Sequence, residues 1–288
     1  MNRRPDGWDV ATDVGATAVV AAAGRAVETH RADALISDPY AERLVAAGDP
    51  GGRLPTRPGA DGAEGSWRPL SDLLGIRGKF IDDALRKAVD DGVRQVVILA
   101  AGLDSRAHRL PWPAGTTVFE IDQPAVLEFK RQVLPAAPSN CAQRLIPADL
   151  RDRWESPLRA AGFDGGRATV WVAEGLLYYL SPDDQQNLLR VADENSAPGS
   201  RWVIEDDPGF LERMADPEAR AQSESLGLDL RSLLDSGPRP DPVAWLREHG
   251  WVVESRLLRT AGREYGRSLT PVGDRVNGPF VLADARKV

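Results

Sequence analysis

Residues 95–122, QVVILAAGLDSRAHRLPWPAGTTVFEID, decide how this chain folds. The stretch opens on a continuous apolar run, QVVILAA at 95–101, turns at Gly102 toward a following helix, and closes on a second run, TTVFEI at 116–121, with Asp122 just beyond. Unalternated runs rich in β-branched residues are what strands buried on both faces look like. Three more follow at 144–147 (RLIP), 169–173 (TVWVA) and 201–205 (RWVIE), with helical stretches between them. Helices between such strands imply parallel pairing through right-handed crossovers. The expected fold is therefore α/β, an open, mostly parallel sheet with helices on both faces. Two late runs, 251–258 and 279–283, are joined by a Gly-containing linker with no room for a long crossover helix, so the last pair is expected to be antiparallel.

Outward from this core the composition changes. Residues 13–45 carry Ala-rich apolar spacing through Val19, Val20, Ala23 and Val27 and a break at Ser37-Asp38-Pro39, which predicts two helices. Residues 48–65, GDPGGRLPTRPGADGAEG, hold too little apolar surface to order by themselves and are expected to form a mobile loop. The expected division is an N-terminal helical cap with its loop at 1–75 and a core at 76–288. The charged, helix-prone stretch at 206–240 lies between a strand and the next helix, where an insertion would hang over the strands' carboxyl ends as a substrate cap.

The 288 residues carry a formal net charge of −7 and 42% hydrophobic side chains, a globular composition. A lone cysteine, Cys141, excludes an intramolecular disulfide framework and suits a reducing cytoplasm. No metal site is suggested by Cys/His spacing. The acidic balance with no basic stripe argues against nucleic acid or an anionic membrane as partner, and for a small-molecule or peptide ligand. Three acids, Asp6, Asp9 and Asp13, separate the basic start from the apolar run at 16–23, a pattern foreign to a signal peptide. Oligomeric state is not legible.

Four strand ends carry groups with chemistry. Gly102 follows the first strand, where a side-chain-free position lets a ligand approach the backbone and a helix start offers free N–H groups. Asp122 ends the second strand about 20 residues later, the place of the acid that accepts from ribose hydroxyls in nucleoside-binding sheets. Asp149 and Leu150 follow the third strand, suited to an adenine amine and ring or to a helix cap. Glu174 follows the fourth, where a lone carboxylate is costly unless it meets a cation or donors. Ser181-Pro182-Asp183-Asp184 is a helix start, with Ser as N-cap and Pro at the first helical position. Tyr178 and Tyr179 lie between, placed to orient an acceptor or to fill the sheet–helix junction. A P-loop motif is absent. Together the set fits a nucleoside with a charged amino-acid tail better than a hydride cofactor.

Residues 98–130 (ILAAGLDSRAHRLPWPAGTTVFEIDQPAVLEFK), 147–154 (PADLRDRW) and 172–185 (VAEGLLYYLSPDDQ) resemble the actinobacterial S-adenosylmethionine-dependent methyltransferases related to leucine carboxyl methyltransferase. So do 34–45 (ALISDPYAERLV) and 76–85 (IRGKFIDDAL). The resemblance implies a class I, Rossmann-like seven-stranded sheet and S-adenosylmethionine as cofactor. It also implies site roles: Arg77 for the methionine carboxylate, Gly102 under the methionyl moiety, Asp122 for the ribose, Asp149 and Leu150 for the adenine, and Glu174 near the methionyl part. Lys79, where the family usually has Arg, and His108, where an aromatic is common, depart from the pattern. The expected activity is O-methylation of a carboxylate, since His30, His108 and His249 are the only histidines and none stands at a strand end as a base. Methylation of a hydroxyl, and cofactor binding without turnover, are the alternatives.

Overall fold

The computed structural model describes residues 13–59, 64–135, 140–207, 209–213, 215, 217, 220–221 and 239–288. Three helices come first: α1 (Asp13–Thr29), α2 (Ala41–Gly48) and α3 (Glu64–Asp90). The core then alternates β1 (Gln95–Leu99), α4 (Arg106–Arg109), β2 (Thr117–Asp122), α5 (Pro124–Val133), β3 (Ala142–Pro147), α6 (Glu155–Ala160), β4 (Thr169–Ala173), α7 (Pro182–Glu194) and β5 (Arg201–Asp206). After α8 (Phe210–Arg213) come α9 (Pro242–Glu248), β6 (Trp251–Leu257), α10 (Leu258–Glu264), α11 (Pro271–Val276) and β7 (Val281–Lys287).

The seven strands form one sheet in the order β3-β2-β1-β4-β5-β7-β6. The first five pair in parallel, and β7 lies antiparallel between β5 and β6. Every residue of β1, β4 and β5 is buried, which is why those segments are continuous apolar runs and not alternating ones. Successive side chains point to opposite faces. Val96, Ile98, Val170 and Val172 pack against Ile76, Phe80 and Leu85 of α3 on one face. Val97, Leu99, Trp171 and Trp202 meet Trp154 and Leu188 on the other. A third cluster joins Val19 and Val20 of α1 to Leu44 of α2 and Trp67 of α3.

The linker between β6 and β7 holds two short helices, α10 and α11, and no long crossover, as its length requires. Helix α3 runs unbroken through positions 75 and 76, the place expected to separate cap from core. Positions 60–63 of the expected mobile loop, and 208, 214, 216, 218–219 and 222–238 of the expected substrate cap, lie outside the described residues. From β3 the chain crosses over β2 and β1 to reach β4. Strands β1 and β4 therefore flank the switch point of the sheet, where ligands bind in open α/β folds.

Candidate functional site

A cavity of about 310 Å³ opens at the carboxyl ends of β1, β2 and β4. Gly102, Asp122 and Glu174 line it from the strand ends, Arg77 from α3, and Tyr178 and Tyr179 from the turn after β4. Helix α1 contributes Thr17, Ala18 and Ala21 to the wall, and Phe210 and Phe280 close an aromatic side. Six of the eight residues expected from sequence thus meet in one cavity. Asp149 and Leu150 are not among its lining residues. Leu150 is buried in the core cluster with Ile146 and Trp154. Asp149 accepts from the backbone N–H and the guanidinium of Arg151, with Gln123 Nε2 3.2 Å from its Oδ2.

The turn after β1 is bent sharply. Ala100 and Gly102 both adopt left-handed backbone, φ 49° and 48°. The first is uncommon for a residue with a side chain and marks a conformation imposed by its surroundings. This bend aims the Gly102 N–H at Asp122, whose Oδ2 accepts at 2.6 Å, while its Oδ1 accepts from Gln123 N–H at 2.6 Å. Burial pushes the Asp122 carboxyl above its ordinary value, against those two bonds. Each oxygen retains a lone pair for a further donor.

At the β4 end, Glu174 pairs with Arg77 Nε at 2.8 Å and Arg106 Nη1 at 2.6 Å. Burial alone would raise the Glu174 carboxyl, but Arg106 and Arg77 outweigh it and hold it well below the ordinary range. Arg77 turns its Nη1 to Glu205 at 3.1 Å, and Glu205 also accepts from Gly175 N–H at 2.7 Å. Burial pushes the Glu205 carboxyl up, opposed by Arg77 and that N–H. Behind Arg106 stand Asp104 and Asp82, and Asp82 is gripped through both oxygens by Arg109 at 2.6 and 2.8 Å.

The phenols are shifted the other way. Burial, then the charge of Glu205, pushes Tyr179 up to about 12 and Tyr178 well above its ordinary value, so both keep their protons at neutral pH and can donate but not act as bases.

Sequence reasoning missed Arg106 and Glu205. Each had a signal: Arg106 lies in the Gly102 turn sequence, and Glu205 closes the apolar run at 201–205. What it could not supply was the partner of each.

A family model described as "Leucine carboxyl methyltransferase" matches residues 18–193. A curated relative from Mycobacterium sp. (strain JLS), provisionally named an S-adenosyl-L-methionine-dependent methyltransferase, is 44% identical over 270 residues, covering 87% of this chain and 88% of its own. A relative of the same name from Saccharopolyspora erythraea is 42% identical over 284 residues, covering 97% and 98%. Among solved structures, a duf574 family protein of Streptomyces avermitilis superposes with a TM-score of 0.56 at 12% identity, over 93% of this chain and 97% of that one. A protein of Thermobifida fusca YX, provisionally called a methyltransferase, gives 0.54 at 19% identity, over 98% of both chains. At those identities the superpositions speak to the fold alone.

Proposed function

Because the chain belongs to the leucine carboxyl methyltransferase family, whose members depend on S-adenosylmethionine, we propose that it methylates a carboxylate of a small molecule or peptide to a methyl ester in the cavity at the β1/β4 switch point. When bound, the cofactor supplies an electrophilic methyl group on a sulfonium. The residues present fit it. Asp122 offers carboxylate oxygens with lone pairs to spare for a ribose diol, and the left-handed Gly102 leaves the backbone open beside them. Arg77 and Glu174 supply opposite charges for the amino-acid end. Asp149 and Leu150, which the resemblance assigned to the adenine, stand outside the residues that line the cavity, with Gln123, next to Asp122, bonded to Asp149.

The observation that carries the choice of acceptor is the state of the titratable groups in the wall. No histidine lines the cavity among the described residues. Glu174 is held ionised between two guanidinium groups, and both tyrosines hold their protons. None of these three groups is a ready base at neutral pH, and the other two wall carboxylates are already engaged, Asp104 by Arg106 and Asp122 by the Gly102 and Gln123 N–H groups. A carboxylate acceptor needs none, because it is already ionised, whereas a phenol with a pKa of about 10 would favour one. The chain's task reduces to holding donor and acceptor in line and excluding water, which contributes roughly 7–11 kcal/mol. Tyr178 and Tyr179, as donors, orient the acceptor oxygen. The acidic balance and a cavity of about 310 Å³ suit a small acceptor and not a nucleic acid.

The test is transfer of labelled methyl from S-adenosylmethionine to panels of carboxylic acids and of phenols. Label released as methanol by mild base identifies a methyl ester and supports the reading. Base-stable label found with phenols alone contradicts it, and absence of acceptor-dependent S-adenosylhomocysteine across both panels favours binding without turnover.

A further inference from the structure

Behind the β4 wall of the cavity lies a frame of linked charges. Its cations are Arg77, Arg106 and Arg109; its anions are Glu174, Glu205, Asp82 and Asp104. The seven come from α3, the Gly102 turn, α4 and the ends of β4 and β5. Three guanidinium groups against four carboxylates leave one negative charge in excess. Two groups border the frame: the Arg25–Asp38 pair, 2.9 Å apart and neutral together, and the buried Asp206 carboxyl beside Glu205, which adds to the negative side when ionised. Glu205 holds the least compensated position: its Oε2 serves both Arg77 and Gly175, while its buried Oε1 has no hydrogen-bond partner among the described residues. A buried ionised carboxylate without full compensation is costly, and a cation brought nearby relieves that cost.

Building on the donor site argued above, we propose that Glu205 is a positioning and charge-selecting residue, fixing Arg77 and Gly175 from behind the wall and tuning the site toward the cationic sulfonium donor over its uncharged thioether product. Donor and product share the adenosine and the amino-acid end and differ in the methyl and the sulfonium charge. A group that merely shaped the wall would affect both alike. A charge that acts on the sulfonium affects the donor.

The experiment is calorimetric titration of the wild type and Glu205→Gln with S-adenosylmethionine and, separately, S-adenosylhomocysteine at neutral pH. Glu205→Gln keeps the shape and an acceptor oxygen but removes the charge. The expected result is donor affinity weakened about tenfold and product affinity by less than about threefold. Equal losses for the two ligands, or no loss for either, overturn the proposal while leaving the donor site standing. A folded wild type that binds neither ligand overturns both. If Glu205→Gln does not fold, Asp104→Asn removes one negative charge from the same frame and must shift the ratio in the same direction; an unshifted ratio there overturns the proposal equally.

Discussion

Gly75 stands where α3 crosses α1, and a Cβ added to it would lie 2.6 Å from the Glu28 carboxylate. Glu28 is not free to withdraw, because Arg267 donates to its two oxygens at 3.1 and 3.2 Å and Leu35 N–H donates at 2.7 Å. Gly75→Ala is therefore expected to destabilise the fold by about 1–3 kcal/mol. Urea unfolding reads this directly, and an unchanged midpoint would mean that the two helices can separate at no cost. A second residue-scale expectation concerns pH. Burial, then the nearby charge of Glu205, raises the buried Asp206 carboxyl to about 7, against about 4 in an unfolded chain. The folded state binds the extra proton between those values, so this group's contribution to stability is full below about pH 4 and is lost as pH rises to about 7. Asp206→Asn should remove that loss, amounting to about 2–4 kcal/mol, and denaturation curves with the same pH slope in both proteins would contradict it. At this scale the sequence was legible where a residue's position in a strand decides its neighbourhood. Asp122 ends its strand, Gly102 and Glu174 follow theirs, and all three line the cavity. Contacts such as Arg267 with Glu28, or Arg77 with Glu205, join distant parts of the chain and have no local pattern.

Helix α7 begins as its sequence requires. Ser181 caps it, its Oγ accepting from Asp184 N–H at 3.2 Å and donating to the Asp184 carboxylate at 2.6 Å, with Pro182 at the first helical position. This helix follows the turn that carries Glu174, Tyr178 and Tyr179, so its start anchors one side of the cavity. Ser181→Ala should lower stability by about 1 kcal/mol, seen as a shifted denaturant midpoint with unchanged slope; no shift would mean that the cap bond contributes nothing net. The start of α3 was not legible in the same way. Its first residues, Glu64 and Gly65, close a Gly/Pro-rich stretch, and Pro69 stands inside the helix. Tertiary contacts override the local signal. Trp67 is buried against α1 and α2, and the Pro69 carbonyl accepts from Asn277 Nδ2 at 2.8 Å. The strands were legible to within a few residues because burial on both faces writes itself into sequence as an apolar run. β7 was the least so, lying at Val281–Lys287 where the apolar run suggested 279–283, because Asp284, Arg286 and Lys287 interrupt its pattern.

Across the whole molecule, residues from α1 through the approach to β7 converge on one cavity. The parallel core places three strand ends side by side, α1 and α3 form a wall, and Phe210 and Phe280 close the aromatic side. Such convergence makes ligand binding and folding stability one equilibrium. Saturation with S-adenosylmethionine at about 100 times Kd should stabilise the fold by about 2.7 kcal/mol, and an unfolding temperature that does not move with ligand would contradict binding to the folded state. The parallel pairing and the gathering of ligand groups at the strands' carboxyl ends follow from the succession of apolar runs and helices, whereas the order β3-β2-β1-β4-β5-β7-β6, and with it the switch point, depends on pairings between distant segments that carry no local pattern. The acceptor was not legible, because its side of the cavity is assembled from α1, α3 and the residues around Phe210 and Phe280, whose contacts arise from packing and carry no motif. No helix among the described residues is long and apolar enough to cross a membrane. Calorimetric titration of the wild type, Asp122→Ala and Glu174→Gln with S-adenosylmethionine tests the donor site most directly. The expected result is a single site in the wild type and at least about tenfold weaker binding in each folded variant, since each loses a charged partner of the ligand. Folded variants that bind as tightly as the wild type would place the donor elsewhere and contradict it.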